Sequence, residues 1–174
     1  VVFCTRNLNP NGWEPYLAPV ALKSTDGGET WSDPIHITDE VGRIYDAVCK
    51  GGIIYTLMLH NRDFDVRDPK QRYAIYESCD GGLSFQLKSL LPGDNMGHAY
   101  GSMEFTEDGK LMVWTYSRGD EYNLDYFISN DLGTSWCEHG KSFCPKRIRN
   151  PQVARVRGGF ILHGRSGCET NELP

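Results

Sequence analysis

An arginine recurs at four similar places in the chain, each time just after an apolar run of residues. The four are Arg6, Arg62, Arg118 and Arg165. An arginine carries a permanent charge and holds its N–H donors in a planar fork, which suits two-point recognition of a carboxylate. The recurrence therefore predicts a surface that binds an anionic ligand. The alternative is that each arginine forms an ion pair with a neighbouring acid, such as Asp63 or Asp120.

The composition narrows the class of partner. The chain has 174 residues, with 18 Lys and Arg against 23 Asp and Glu, and a formal net charge of −5. This acidic balance, without a run of basic residues, argues against nucleic acid as the main partner. No apolar run approaches the ~20 residues of a membrane helix, so we expect no membrane span. The six cysteines lack paired zinc-ligand spacing, and we expect neither a metal nor another cofactor.

A short motif, Ser-x-Asp-x-Gly-x-Ser/Thr-aromatic, occurs three times. Its copies cover Ser24–Trp31, Ser78–Phe85 and Ser129–Trp136. The nearly constant interval indicates a structural repeat of about 50 residues. In each copy we expect a tight turn, in which the Asp accepts hydrogen bonds from following amides and a Gly takes a positive φ. The aromatic side chain is expected to pack beneath the turn, between neighbouring sheets. These roles are structural rather than chemical.

Between the motifs, the sequence predicts short strands separated by Gly, Asp or Pro turns, with no sustained helical period. Two complete groups of four strands are predicted, at Tyr45–Lys50, Ile53–His60, Arg72–Ser78 and Phe85–Leu90 and at Ala99–Phe105, Leu111–Ser117, Asp125–Ser129 and Trp136–Phe143. Three strands precede them, at Val1–Thr5, Ala18–Ser24 and Asp33–Ile37, and two follow, at Gln152–Val156 and Phe160–Gly164. Four antiparallel strands repeated every ~50 residues predict an all-β fold built of β-propeller blades.

The three motifs resemble the Asp-box, or BNR, repeats of sialidases and related propeller glycosidases. Residues 150–167, which read NPQVARVRGGFILHGRSG, are similar to the opening of a blade in sialidase-like proteins. The resemblance covers nearly the whole chain and implies a propeller of six four-stranded blades. It favours a secreted or periplasmic protein, although this sequence shows no signal-peptide pattern.

The strand count assigns this chain to about three and a half blades of such a propeller. Residues 1–40 would hold three strands of one blade, 41–92 and 93–145 two full blades, and 146–174 two strands of a fourth. Two explanations stay open. The chain is part of a longer protein, which we favour, or copies associate to complete a ring.

The resemblance implies an exo-glycosidase that removes terminal sialic acid or another acidic sugar from glycans. Because neighbouring strands run in opposite directions, the recurring arginines lie on the face opposite the Asp boxes, where they would hold the sugar carboxylate. Arg149, Asp94 and His98, predicted in connections between blades, are further candidates for substrate binding. Trp13 and Tyr122, predicted in loops of the same face, are candidate sugar platforms.

A glycosidase needs an acid that protonates the leaving oxygen and a nucleophile or base across the sugar ring. Asp46, in the connection that begins at Arg43, is the first candidate acid; turn capping is its alternative role. Asp94 is the second candidate. The resemblance implies a tyrosine nucleophile activated by a glutamate, and Tyr100 with Glu104 is the candidate pair, although the family's tyrosine comes from a late blade.

Similar boxes also occur in propellers that bind carbohydrate without cleaving it, and in protein-interaction propellers such as sorting receptors. A non-catalytic carbohydrate-binding propeller and a protein-interaction propeller are therefore the alternative functions. The first predicts glycan binding without hydrolysis, and the second predicts neither.

Overall fold

A computed structural model describes residues 1–9, 11–12, 14–62, 71–93, 98–117, 119–145 and 147–166, apart from the side chains of His98 and Ser166. In these ranges the chain forms thirteen strands, and all the strand pairs are antiparallel. The same ranges contain no helix, and hence none that is long and apolar enough to cross a membrane.

The strands form four sheets, and within each sheet they pair in chain order. The first sheet contains β1 (Val2–Cys4), β2 (Val20–Leu22) and β3 (Ile35–His36). The second contains β4 (Gly42–Lys50), β5 (Ile53–His60), β6 (Arg72–Ser78) and β7 (Gln86–Leu90). The third contains β8 (His98–Phe105), β9 (Leu111–Ser117), β10 (Asp120–Ser129) and β11 (Glu138–Phe143). The fourth contains β12 (Ile148–Val156) and β13 (Gly159–Ser166). The predicted class, all-β with four-stranded antiparallel sheets, is confirmed.

The main core lies between the second and third sheets. The central strands β5, β6 and β9 are rich in apolar residues because both of their faces are covered by neighbouring sheets. The core contains Tyr55, Leu57, Leu59, Tyr73, Ile75, Leu91, Met103, Phe105, Leu111, Val113 and Phe127. Trp114 packs edge-on against Phe160 at 5.2 Å and joins the third sheet to the fourth. The sheets therefore stack side by side along the chain.

The first strands of the second, third and fourth sheets, β4, β8 and β12, lie next to one another. We call these three the inner strands. The Asp46 carboxylate of β4 accepts hydrogen bonds from the Ser102 hydroxyl at 2.6 Å and the Met103 amide at 2.8 Å, both in β8. Ser102 in turn accepts a hydrogen bond from the Val153 amide of β12 at 3.0 Å. One serine thus connects the inner strands of three consecutive sheets.

The three sequence motifs adopt the turn expected for them. In each, the Asp carboxylate accepts the amide and the hydroxyl of the residue four positions later, and the three pairs are Asp26 with Thr30, Asp80 with Ser84 and Asp131 with Ser135. Hydrogen bonds from Ser135 lower the pKa of Asp131 to about 2. The Gly133 backbone has a φ of 86°, the left-handed conformation that favours glycine.

Two of the three motif aromatics contact the preceding sheet. Phe85 packs against Phe3 of β1 at 5.8 Å, and the Trp136 indole donates a hydrogen bond to the Ser89 hydroxyl of β7 at 3.2 Å. Trp31 has no preceding sheet among the described residues, and 45% of its surface is exposed. The motif therefore connects each sheet to the one before it.

Several strands begin earlier than the sequence predicts. Arg43, His98 and Arg149, predicted in connections between blades, lie inside β4, β8 and β12, and Tyr122, predicted in a loop, lies in β10. These placements were wrong because backbone pairing continues past irregularities in the ladder that short-range sequence signals do not reveal. The consequence is that Arg43 and Arg149 are held by strands rather than by loops.

Candidate functional site

A cavity of about 770 Å³ opens between the first, second and third sheets. Its described wall includes Thr5, Glu14, Tyr16, Arg43, Tyr45 and Tyr100. Arg43 and Tyr45 lie at the beginning of β4 and Tyr100 at the beginning of β8, whereas the motif turns follow the opposite ends of their sheets. The cavity therefore lies on the face remote from the motif turns.

The cavity wall holds one arginine between two aromatic rings. The Arg43 guanidinium carbon lies 4.6 Å from the Tyr16 ring centroid and 5.1 Å from that of Tyr45, and 8% of the residue is exposed. Cation–π attraction favours this arrangement and fixes the cation. Burial raises the pKa of Tyr45, while the charge of Arg43 acts in the opposite direction. Arg43 therefore gives this part of the cavity wall a positive charge beside two aromatic rings.

Each inner strand carries a bulge at the level of the cavity. The register shifts between Ile44 and Asp46 in β4, between Ala99 and Gly101 in β8, and between Arg149 and Gln152 in β12. The inserted residues include Tyr45, Tyr100 and Asn150, and the last two have φ values of 55° and 51°. A non-glycine residue in this region costs about 1 kcal/mol or more, and such residues are found in turns and at functional sites. Bulges also redirect side chains beside such sites.

A row of tyrosines connects the cavity to a carboxylate that is largely shielded from solvent. The Tyr100 ring lies 5.3 Å from Tyr45 and 6.2 Å from Tyr116. The Tyr116 hydroxyl donates to Glu121 Oε1 at 3.0 Å, and Arg149 Nε donates to the same oxygen at 2.6 Å. Burial acts to raise the pKa of Glu121, but the hydrogen bonds from Arg149 and Tyr116 hold that pKa below its usual value. Glu121 is therefore an ionised partner of Arg149.

The solved structures similar to this chain include propeller glycoside hydrolases. A protein of unknown function from Dyadobacter fermentans is 18% identical, with a TM-score of 0.66 over 92% of this chain and 51% of that one. A mutant NanB sialidase from Streptococcus pneumoniae is 13% identical, with a TM-score of 0.60 over 83% and 23%. An α-L-arabinofuranosidase from Fusarium graminearum is 18% identical, with a TM-score of 0.60 over 89% and 50%.

These identities are low, so the likeness concerns the fold alone. No protein-family model and no curated protein matches the chain. The fold is that of the sialidase-like β-propellers. The four sheets are accordingly arranged like propeller blades, and the chain spans about half the length of the Dyadobacter structure. The cavity lies beside the beginnings of the inner strands β4 and β8.

The structure places the predicted catalytic residues in different surroundings. Tyr100 lines the cavity. Asp46 is outside its described wall and binds the Ser102 hydroxyl and the Met103 amide; burial raises the pKa of Asp46, and these hydrogen bonds act against the rise. Glu104 accepts the Phe105 amide at 2.8 Å. Four strand residues span about 13 Å, so Tyr100 and Glu104 are not brought together.

Tyr116 and Glu121, not Tyr100 and Glu104, form a hydrogen-bonded tyrosine–glutamate pair. Only 3% of Tyr116 is exposed, so its hydroxyl faces the protein interior.

Four of the predicted arginines, Arg6, Arg62, Arg149 and Arg165, lie in the described part of the chain. Arg6 donates to the Ala18 carbonyl at 2.9 Å, and Arg165 lies 3.4 Å from Asn150 Oδ1. Arg62 is exposed, and Arg149 is engaged with Glu121 as described above. Arg118, Asp94 and Trp13 lie outside the described residues, as does the side chain of His98. None of these four arginines belongs to the described cavity wall.

Sequence reasoning missed the arginine that does line the cavity. Arg43 precedes Asp46 by three residues, as Arg149 precedes Gln152, so the two arginines begin equivalent inner strands. This correspondence between Arg43 and Arg149 is the sequence signal from which Arg43 could have been identified. Tyr16 and Glu14 carry no such signal because they reach the cavity through the folding of a long connection. In the described part of the chain, no cluster of His, Cys, Asp and Glu could hold a metal ion.

Proposed function

We propose that the protein is a sialidase-like exo-glycosidase that hydrolyses terminal sialic acid or another acidic sugar from glycans. The observation that carries this proposal is the Arg43 guanidinium held between the Tyr16 and Tyr45 rings in the cavity wall. A volume of about 770 Å³ suits a site for a small ligand. The sialidases among the similar structures support the same class of substrate.

Arg43 is the proposed ligand of the sugar carboxylate. A carboxylate in the cavity would meet a poorly hydrated, planar cation, where charge-assisted hydrogen bonds are strong. Because two rings already restrict Arg43, little side-chain entropy is lost on binding. Glu14, in the same wall, would repel a carboxylate but accept hydrogen bonds from sugar hydroxyls. The cavity therefore orients an acidic sugar with its carboxylate towards Arg43.

The recurring arginines of the sequence are proposed to attract and hold further anionic groups of the glycan. Arg6, Arg62 and Arg165 are exposed, so their charges would act on an approaching anionic ligand. Arg118 and Arg149, with Asp94 and His98, complete the proposed substrate-binding set.

Tyr100 remains the proposed nucleophile and Asp46 the proposed acid. The position of Tyr100 in the cavity wall supports the first role. The raised pKa of Asp46 supports the second, because a general acid must stay protonated to a higher pH. Glu104, predicted as the base for the Tyr100 proton, lies four strand residues away from Tyr100 and is left out of this proposal.

The test is hydrolysis of a fluorogenic sialoside by the whole protein, comparing Arg43→Gln with Arg157→Gln. Arg157 is an exposed arginine in the turn between β12 and β13, at the end of those strands remote from the cavity, and serves as the matched control. We expect Arg43→Gln to lower kcat/KM about 100-fold, as expected when a charge-assisted contact is lost, and Arg157→Gln to leave it unchanged. Equal activity of the two variants would contradict the carboxylate assignment.

A neutral sugar is the second candidate substrate, because the cavity wall contains three tyrosines and a single described arginine. The arabinofuranosidase among the similar structures gives the matching probe, a fluorogenic arabinofuranoside. Turnover of that probe alone would replace the acidic-sugar proposal. Saturable glycan binding without hydrolysis of either probe would indicate the carbohydrate-binding alternative, and no binding would leave the protein-interaction propeller.

A further inference from the structure

Tyr100 takes its place in the cavity through an unusual backbone conformation. It is the inserted residue of the β8 bulge and has a φ of 55°, whereas an ordinary strand residue has a negative φ. The next residue, Gly101, has no room for a side chain, since an added Cβ would lie 2.9 Å from Leu57 Cδ2 and 3.1 Å from the Trp114 carbonyl oxygen. The bulge is thus tightly confined by the sheets around it.

A buried hydroxyl from the neighbouring sheet holds this bulge. Tyr73, in β6, has no exposed surface, and its hydroxyl donates a hydrogen bond to the Tyr100 carbonyl oxygen at 3.0 Å. Burial raises the pKa of Tyr73 well above its ordinary value, so this hydroxyl stays a donor at any physiological pH. The bond fixes the peptide that follows the strained residue.

We propose that Tyr73 is a positioning residue, which holds Tyr100 in the conformation that presents its ring to the ligand. The inference rests on the proposed function for its consequence in catalysis, but the positioning itself can be observed without a substrate. Without the hydroxyl, the Tyr100–Gly101 peptide loses one of the contacts that hold the bulge, and we expect Tyr100 to relax towards negative φ. The ring would then leave its place between Tyr45 and Tyr116.

Tyr73→Phe removes only the hydroxyl, and Tyr76→Phe is the matched control. Tyr76 is also buried in β6, and its hydroxyl bonds to Thr38 at 3.0 Å and contacts His60 at 3.0 Å, away from the described cavity wall. Both substitutions remove a buried hydrogen bond, so both should lower the Tm. We expect only Tyr73→Phe to lower kcat, about tenfold, because only it acts on Tyr100.

Two further measurements separate positioning from general destabilisation. In a double-mutant cycle with Tyr100→Ala, the kinetic effect of Tyr73→Phe should disappear if Tyr73 acts through Tyr100. Crystal structures of both Phe variants should show a changed Tyr100 φ only in Tyr73→Phe.

An unchanged Tyr100 in the Tyr73→Phe crystal structure would overturn the inference, as would kinetics equal to those of Tyr76→Phe in an active enzyme. If the unsubstituted protein turned over no glycoside, the proposed function would fail instead. The crystal structures would still decide whether Tyr73 positions Tyr100.

Discussion

At the scale of single residues, the Glu121 carboxylate explains why Arg149 cannot be assigned from sequence alone. Arg149 was a candidate for substrate binding by its position in the sequence, yet its Nε and the Tyr116 hydroxyl share one oxygen of Glu121. The other oxygen, Oε2, is buried and has no hydrogen-bond partner among the described residues. The free energy of unfolding should therefore depend on the negative charge of this carboxylate.

We therefore expect Glu121→Gln to lower the free energy of unfolding by about 2 kcal/mol. Removing one partner of a fully buried ion pair costs about 3–5 kcal/mol. The smaller value reflects Arg149, whose side chain is 30% exposed and can be hydrated. Urea denaturation measures the difference. Glu138→Gln is the control, since Glu138 accepts a tyrosine hydroxyl at an exposed position; equal losses in both variants would argue against a special role for Glu121.

The same residues show what sequence reasoning can reach at this scale. Tyr100 and Asp46 were found because they stand near predicted strand ends, and the structure places Tyr100 in the cavity wall. Arg43 and Glu121 were missed because their surroundings come from other sheets: Arg43 meets Tyr16 from a distant connection, and Glu121 meets Arg149 from the next sheet. Contacts between sheets depend on tertiary packing, which residue types in one segment do not encode.

At the scale of elements, the motif turns were predictable because their hydrogen bonds are local. Asp131 bonds to Ser129 and Ser135, both within four residues. The bulges were not predictable, since a bulge is a mismatch between two strands and depends on the partner as much as on the strand itself. This is why Arg149 and Tyr122 were assigned to loops although they lie in β12 and β10.

The motif turns also predict an acid-sensitive element. Hydrogen bonds from Ser135 lower the pKa of Asp131 to about 2, against an unfolded value of about 3.9. A carboxyl whose folded pKa is lowered stabilises the fold above the unfolded pKa, and this contribution is lost as the pH falls towards 2. We expect Asp131→Asn to lower the Tm at pH 7 and to weaken the fall in Tm between about pH 4 and pH 2.

Thermal unfolding followed by circular dichroism at a series of pH values measures this change. Asp33→Asn is the control, because Asp33 is exposed and lies outside the hydrogen-bonded motif positions. A pH profile of Asp131→Asn that coincides with that of the unsubstituted protein would contradict the assignment. Hydroxyl groups at the equivalent positions also lower the pKa values of Asp26 and Asp80. These two residues should therefore still cause part of the fall in Tm at low pH in the Asp131→Asn variant.

At the scale of the whole molecule, the inner strands are joined by a chain of hydrogen bonds through Ser102. Its hydroxyl donates to Asp46 of β4 and accepts from the Val153 amide of β12, and Ser102 itself has no exposed surface. The connection runs next to the cavity, because Asp46 follows the β4 bulge and Ser102 follows the β8 bulge by two residues. The hydrogen bonds that hold neighbouring sheets together therefore lie next to the residues that shape the cavity.

Ser102→Ala should destabilise the protein by about 2–4 kcal/mol, because the part-buried Val153 amide loses its acceptor and a carboxylate oxygen of Asp46 loses a donor. Ser89→Ala is the matched control at the outer edge: Ser89 also joins two sheets, through the Gly133 carbonyl and the Trp136 indole, but lies far from the inner strands.

In a double-mutant cycle of Ser102→Ala with Asp46→Asn, the stability losses should be less than additive, since both substitutions break the same bond. If Asp46 is also the general acid, Asp46→Asn lowers kcat about 100-fold or more, whereas Ser102→Ala does not. Additive stability losses would show that Ser102 and Asp46 do not stabilise the protein through a shared hydrogen bond.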